Sequence, residues 1–140
     1  MFKSCPIRAS LGLLGRKWAL LVLRDIGFLK ETRFRAILRN NPGMTPRILS
    51  MRLRDLQREG LIERVTAGKG RSEISYRLTT KGRDALPVLT AFIQFGAQYY
   101  ASRVFEDGRA RNLDDLFPTK QEVMLGRLAA YAEKRSGANR

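Results

Sequence analysis

Arg47, Met51, Arg54 and Arg58 recur at intervals of three and four residues. At ~100° per residue they share one side of a helix, with Ser50 on its flank. Arginine can donate two parallel hydrogen bonds to the major-groove acceptors of guanine, and the methionine can meet a thymine methyl. Leu49, Leu53 and Leu56 fall on the opposite side, which must dock on a core and so turns the arginines outward. Thr45 suits the N-cap, and Pro46 suits the first helical position, where its missing N–H has no partner to lose. Gly60 fits the position just past the helix end. An arginine stripe taken alone is the ordinary solvated face of a helix, so its neighbours decide what it means.

After Gly60 come Leu61 to Thr66 and then Ile74 to Leu78, the second run alternating apolar and polar as a half-buried strand should. The predicted tip, Ala67-Gly68-Lys69-Gly70-Arg71, is glycine-rich and basic. Lys69 and Arg71 can therefore approach a phosphate backbone or a minor groove. A phosphate-binding nucleotide loop is rejected: it needs Ser or Thr after the lysine and a helix after the glycines, whereas Gly70 and a strand stand here.

The whole chain shares the basic character of this segment. Its 140 residues hold 27 basic and 13 acidic side chains, a formal charge of +14, which favours a polyanionic partner. There is no histidine and one cysteine, so one chain can build no catalytic triad, Cys-His pair or internal disulfide. No zinc site is expected either, and the chain is read as a non-enzyme needing no cofactor. The apolar run Trp18 to Leu23 meets Arg24 and Asp25 at once, too short to cross a bilayer. The start, Met1 to Pro6, lacks a signal-peptide pattern, and a cytoplasmic location is expected.

The elements that must position these residues follow in order. Pro6 to Leu14 reads as a short helix closed by Gly15, and an apolar helix runs from about Trp18 to Phe28. Thr32 is expected to cap a third helix with Phe34, Ile37 and Leu38 inward and Arg33, Arg35 and Arg39 outward. The turn Asn40-Asn41-Pro42-Gly43 leads into the arginine-striped helix. Helix, tight turn, helix and hairpin make a winged helix-turn-helix: mainly α with a small β-hairpin wing, an α+β class. Thr79 or Thr80 then caps one long helix to about Phe105, apolar over more than one face, which calls for a second subunit to cover it. Residues 1–105 thus form the winged unit with its dimerisation helix, and 106–118 a linker. Thr119-x-x-Glu122 is a capping-box pattern opening a last, dimer-associated helix over 119–135, and 136–140 is a flexible tail.

With those residues in view, the chain resembles the HxlR-type transcriptional regulators, a branch of the MarR-like winged-helix proteins. The segments that carry the likeness include Cys5-Pro6, Gly15 to Asp25, Arg33-Phe34, Pro42 to Ser50 and Arg52 to Leu56. Gly60 to Arg64, Tyr76 to Thr79 and Gly82-Arg83 complete it, so the likeness covers roughly Cys5 to Gly96. It implies a homodimer on a pseudo-palindromic operator in double-stranded DNA, with the recognition helix at 45–59 in the major groove and the wing at 67–71 alongside. Two departures stand out. Family wings are typically longer, with a proline pair before the second strand, where Gly70-Arg71-Ser72-Glu73 stands here. The segment from about Glu106 extends past the usual family end. Some members sense oxidants or electrophiles through a cysteine placed like Cys5. Its position at a helix start near Lys3 and Arg8 suits a reactive thiolate, and packing against the dimer helices is the other role open to it.

The residues expected to meet DNA are therefore Pro46, Arg47, Ser50, Met51 and Arg54 in the groove, Lys69 and Arg71 from the wing, and Arg33 and Arg35 at the backbone. Two other readings remain open. One is an architectural coat that binds nucleic acid without sequence preference; the other is a winged-helix module that meets an acidic protein in a transcription assembly. A small-molecule effector is compatible with the fold, but no residue identifies one.

Overall fold

The structure is a computed structural model and describes residues 1–66 and 74–116. Two compact units divide the chain, Met1–Asp84 and the part from Ala85 onward. The first holds α1 (Pro6–Leu14), α2 (Ala19–Gly27), α3 (Phe34–Asn40), α4 (Pro46–Arg58), β1 (Ile62–Thr66), β2 (Ile74–Leu78) and α5 (Thr80–Asp84). The second holds α6 (Leu86–Tyr99), α7 (Ala101–Val104) and α8 (Leu113–Leu116). Mainly helical, with one antiparallel hairpin after a helix-turn-helix, this is the winged architecture expected.

In the first unit α2 lies in the core. Ala19, Val22, Leu23 and Ile26 are buried along it, joined by Ile37 of α3 and Leu49, Leu53 and Leu56 of α4. The sharp corner before α2 is made by Trp18 at φ 77°, a left-handed conformation that a non-glycine residue adopts only when its surroundings enforce it. The Lys17 ammonium sits 5.3 Å from the Trp18 ring centroid at that corner.

The turn between α3 and α4 is fastened to α2 by a buried polar cluster. Asn41 donates from Nδ2 to Asp25 Oδ2 at 2.7 Å and to the Ile37 carbonyl at 2.7 Å. Arg24 Nε donates to Asp25 Oδ1 at 2.8 Å, and its Nη2 to Asn41 Oδ1 at 3.2 Å. Both carboxylate oxygens of the fully buried Asp25 are thus satisfied, as a charge inside a core requires. Burial still outweighs the neighbouring Arg24 and holds the Asp25 carboxyl above its ordinary range. Gly43, at φ 93°, then takes the left-handed turn into α4.

α4 is bounded as its sequence dictates. Thr45 Oγ1 accepts from Ile48 N at 3.2 Å and Pro46 opens the first turn. At the far end Gly60 takes φ 76°; Leu61 N donates to Leu56 O and Gly60 N to Gln57 O, the paired bonds of a Schellman motif. The next three carbonyls are gripped from across the hairpin. Lys81 Nζ donates to Glu59 O at 2.6 Å, while Thr79 Oγ1 lies 2.6 Å from Gly60 O and 3.1 Å from Leu61 O. Thr79 Oγ1 also accepts from Gly82 N and so caps α5. Strands β1 and β2 pair with Ile62 opposite Leu78, Arg64 opposite Tyr76 and Thr66 opposite Ile74.

Two expectations need correction here. Thr32 does not cap α3: the N-cap is Arg33, whose side chain makes no capping bond to the helix. The reason is sheet pairing, since Thr32 O accepts from Tyr76 N and Arg33 bridges Ser75, which holds this segment extended. The helix foreseen from residue 80 to about 105 is three helices. Pro87 lies in the first turn of α6, where its ring and missing N–H forbid a helix running through from α5. A second break falls at Tyr100, with φ −117° and ψ 29°. Tyr99 meets Phe95 as an i,i+4 neighbour within α6, at 5.0 Å between ring centroids; in a continuous helix Tyr100 would point ~140° away from Phe95, and the break brings it to 5.9 Å.

In the second unit, residues 106–116 are ordered by local bonds and include α8. Arg111 pairs with Asp107 at 2.7 Å and stacks on Phe105 at 4.1 Å. Asn112 and Asp115 cap each other's backbone N–H groups across the first turn of α8. The remainder of the expected linker, the last helix at 119–135 and the tail at 136–140 lie outside the described residues.

Candidate nucleic-acid interface

The two sides of α4 separate cleanly. Leu49, Leu53 and Leu56 are buried, while Pro46, Arg47, Ser50, Met51, Arg54 and Arg58 are exposed. Arg47 and Ser50 project from the first turns, beyond the Thr45 cap. Exposed guanidinium and hydroxyl groups on the leading end of a helix are the donors that base edges and phosphates accept from. Arg33 and Arg35 are exposed at the start of α3, on the helix that precedes the turn. Lys69 and Arg71 lie outside the described residues. Cys5 is exposed at the N-cap of α1, well away in sequence from this face.

One feature of α4 was missed from sequence. Asp55 is its only acid and is nearly buried. Its Oδ2 receives Arg52 Nη1 at 2.6 Å and Arg16 Nη1 at 2.8 Å, and Arg58 lies 3.8 Å from Oδ1. Burial pushes the Asp55 carboxyl up, but the hydrogen bonds from Arg16 and Arg52 prevail and hold it below its ordinary range. Arg52 also donates through Nε to Lys17 O at 2.9 Å, tying α4 to the corner between α1 and α2. The available signal was a single carboxylate in an otherwise basic helix; its partner Arg16 is too distant in sequence for periodicity to reveal.

Among the described residues no group of His, Cys, Asp and Glu could hold a metal ion, and no helix is long and apolar enough to cross a membrane.

Comparison with known proteins places the chain. The family model described as HxlR-like helix-turn-helix matches residues 13–104. An uncharacterised HTH-type transcriptional regulator from Synechocystis is 36% identical over 95 residues, covering 68% of this chain and 70% of that one. Among solved structures, a protein of Porphyromonas gingivalis W83 assigned to the MarR family of transcriptional regulators superposes with TM-score 0.61 at 26% identity, over 71% of this chain and 96% of its own. The redox regulator HypR in its oxidised form superposes with TM-score 0.57 at 28% identity, over 66% and 94% of the two chains. The match spans α2 to α7, including the helix-turn-helix and its hairpin, and the chain belongs to the HxlR-like helix-turn-helix family of transcriptional regulators.

Proposed function

We propose that the protein is a homodimeric regulator that binds a pseudo-palindromic operator, each subunit laying α4 in a major groove. The observation that carries this reading is the split of α4 into a buried leucine side and an exposed side bearing Arg47, Ser50, Met51 and Arg54. Arg47 and Arg54 pair with guanine, Met51 meets a thymine methyl, and Pro46 and Ser50 approach the backbone and base edges. Arg33 and Arg35 contact phosphate, and Lys69 and Arg71 do so from the hairpin tip or reach the minor groove.

Dimerisation is supported by α6, where Phe92, Phe95 and Tyr99 are 63%, 53% and 71% exposed. An aromatic surface of that extent is the kind that a second subunit covers. A redox response through Cys5 is supported by its exposure and by the likeness to HypR, itself a redox regulator. Two Cys5 thiols, one per subunit, would surrender two electrons and two protons to a thiol oxidant and form an intersubunit disulfide.

Competition binding tests the reading. A regulator prefers its operator over random duplex by at least ~10³ at physiological salt. Equal affinity for all duplexes would favour an architectural coat, and no binding even at low salt would favour a module that meets an acidic protein. Treatment with diamide is expected to link the subunits and change operator affinity, and Cys5→Ser to abolish both effects. Absence of both in the unaltered protein would remove the switch while leaving the DNA reading intact.

A further inference from the structure

We infer that Arg16 is a further DNA-contacting residue, a phosphate ligand held beside α4 by Asp55. The inference rests on the reading of α4 as the groove-entering helix.

Asp55 lies one residue, ~100°, around the helix from Arg54 and one turn after Met51, so it borders the exposed stripe. An α-helix nearly fills a major groove ~12 Å wide. Groups standing off its flank therefore face the phosphates that line the groove walls. Asp55 alone would repel them. It is instead enclosed by the guanidinium groups of Arg16, Arg52 and Arg58, three positive charges against one negative, so this flank is cationic despite its acid.

The three arginines are not equivalent. Arg52 has its side chain 16% exposed and is bonded to both Asp55 and the Lys17 carbonyl; it is a structural tie. Arg58 is distant at 3.8 Å and 67% exposed. Arg16 is held at two points, Nε to Gly12 O at 3.0 Å and Nη1 to Asp55 at 2.8 Å, yet its side chain remains 48% exposed. Its other N–H groups have no acceptor among the described residues. A guanidinium fixed in this way has already given up most of its rotamer freedom before DNA arrives, which favours binding over a freely moving arginine. Asp55 is then a positioning residue, and Arg16 makes the contact.

A phosphate contact carries no base preference, so a labelled random-sequence duplex is the suitable probe, titrated over a range of salt. Arg16→Gln, at a half-exposed site, is expected to flatten the slope of log Kobs against log salt by about 0.9, corresponding to about eightfold weaker binding at ~0.1 M salt. Asp55→Asn raises the net charge by one, so charge alone would tighten binding; positioning predicts that it weakens. Arg16→Lys keeps the charge but cannot hold Gly12 and Asp55 together, and it is expected to recover only part of the affinity, whatever the stability of the Asp55 variant. A wild-type slope in Arg16→Gln would overturn the contact. Full affinity in Arg16→Lys, or tighter binding by Asp55→Asn, would overturn the positioning. Failure of the unaltered protein to bind duplex at low salt would overturn the groove reading with it.

Discussion

Arg47 was legible from sequence because helical periodicity alone decides which residues share its side, and the buried leucines opposite bear that geometry out. If it reads guanine, Arg47→Ala will cost about 1–3 kcal/mol on the operator and relax preference at one base, with random-duplex affinity changing far less. The buried acids were not legible. Asp25 and Asp55 sit in helical patterns that forecast only their direction, whereas their partners Asn41 and Arg16 arrive from other elements. Their titrations oppose each other. Asp55, with its carboxyl held low, contributes stability that is complete above the ordinary carboxylate range near ~4 and is lost as pH falls through its lower folded value. Asp25, held high, is a cost at neutral pH that is relieved on acidification through its raised value. Urea titrations at a series of pH values should therefore find Asp55→Asn about 1–3 kcal/mol less stable at pH 7. The deficit should shrink below pH ~4, and a deficit that does not vary with pH would show that the ion pairs contribute nothing specific.

At the scale of elements, α4 was recovered with both caps because Thr45, Pro46 and Gly60 act on the backbone locally. The breaks were harder. Pro87 was a local signal overridden by a long apolar run, while Tyr100 leaves the helix in company with ring packing that no window of sequence displays. Thr32 looked like a cap and became part of a strand pairing, a tertiary preference overriding a local one. The grip of Thr79 and Lys81 on the carbonyls after α4 is likewise a product of the fold. It fixes α4, the helix proposed to enter the groove, to α5. Replacing Thr79 with Val keeps the shape and removes the hydroxyl that serves both Gly60 and Gly82. A loss of about 1–3 kcal/mol is expected, seen as a lower denaturation midpoint at unchanged slope, with Thr79→Ser restoring most of it. Equal stability of the Val and Ser variants would mean that the hydroxyl is idle.

For the whole molecule, the family, the winged architecture and the order of elements from α1 to the hairpin could be read from the chain, because the motifs that carry them lie largely within the stretch that the family model matches. Its excess of positive charge pointed to a polyanion but could not distinguish a groove reader from a coat. Selection of bound sequences from random duplex DNA separates the two. Groove reading by a symmetric dimer predicts an enriched motif with two-fold symmetry and half-sites about one helical turn, ~10 base pairs, or a multiple of it apart. It also predicts that Arg47→Ala together with Arg54→Ala erases guanine preference within each half-site. A pool with no enriched motif, or the same motif selected by the double variant, would contradict it.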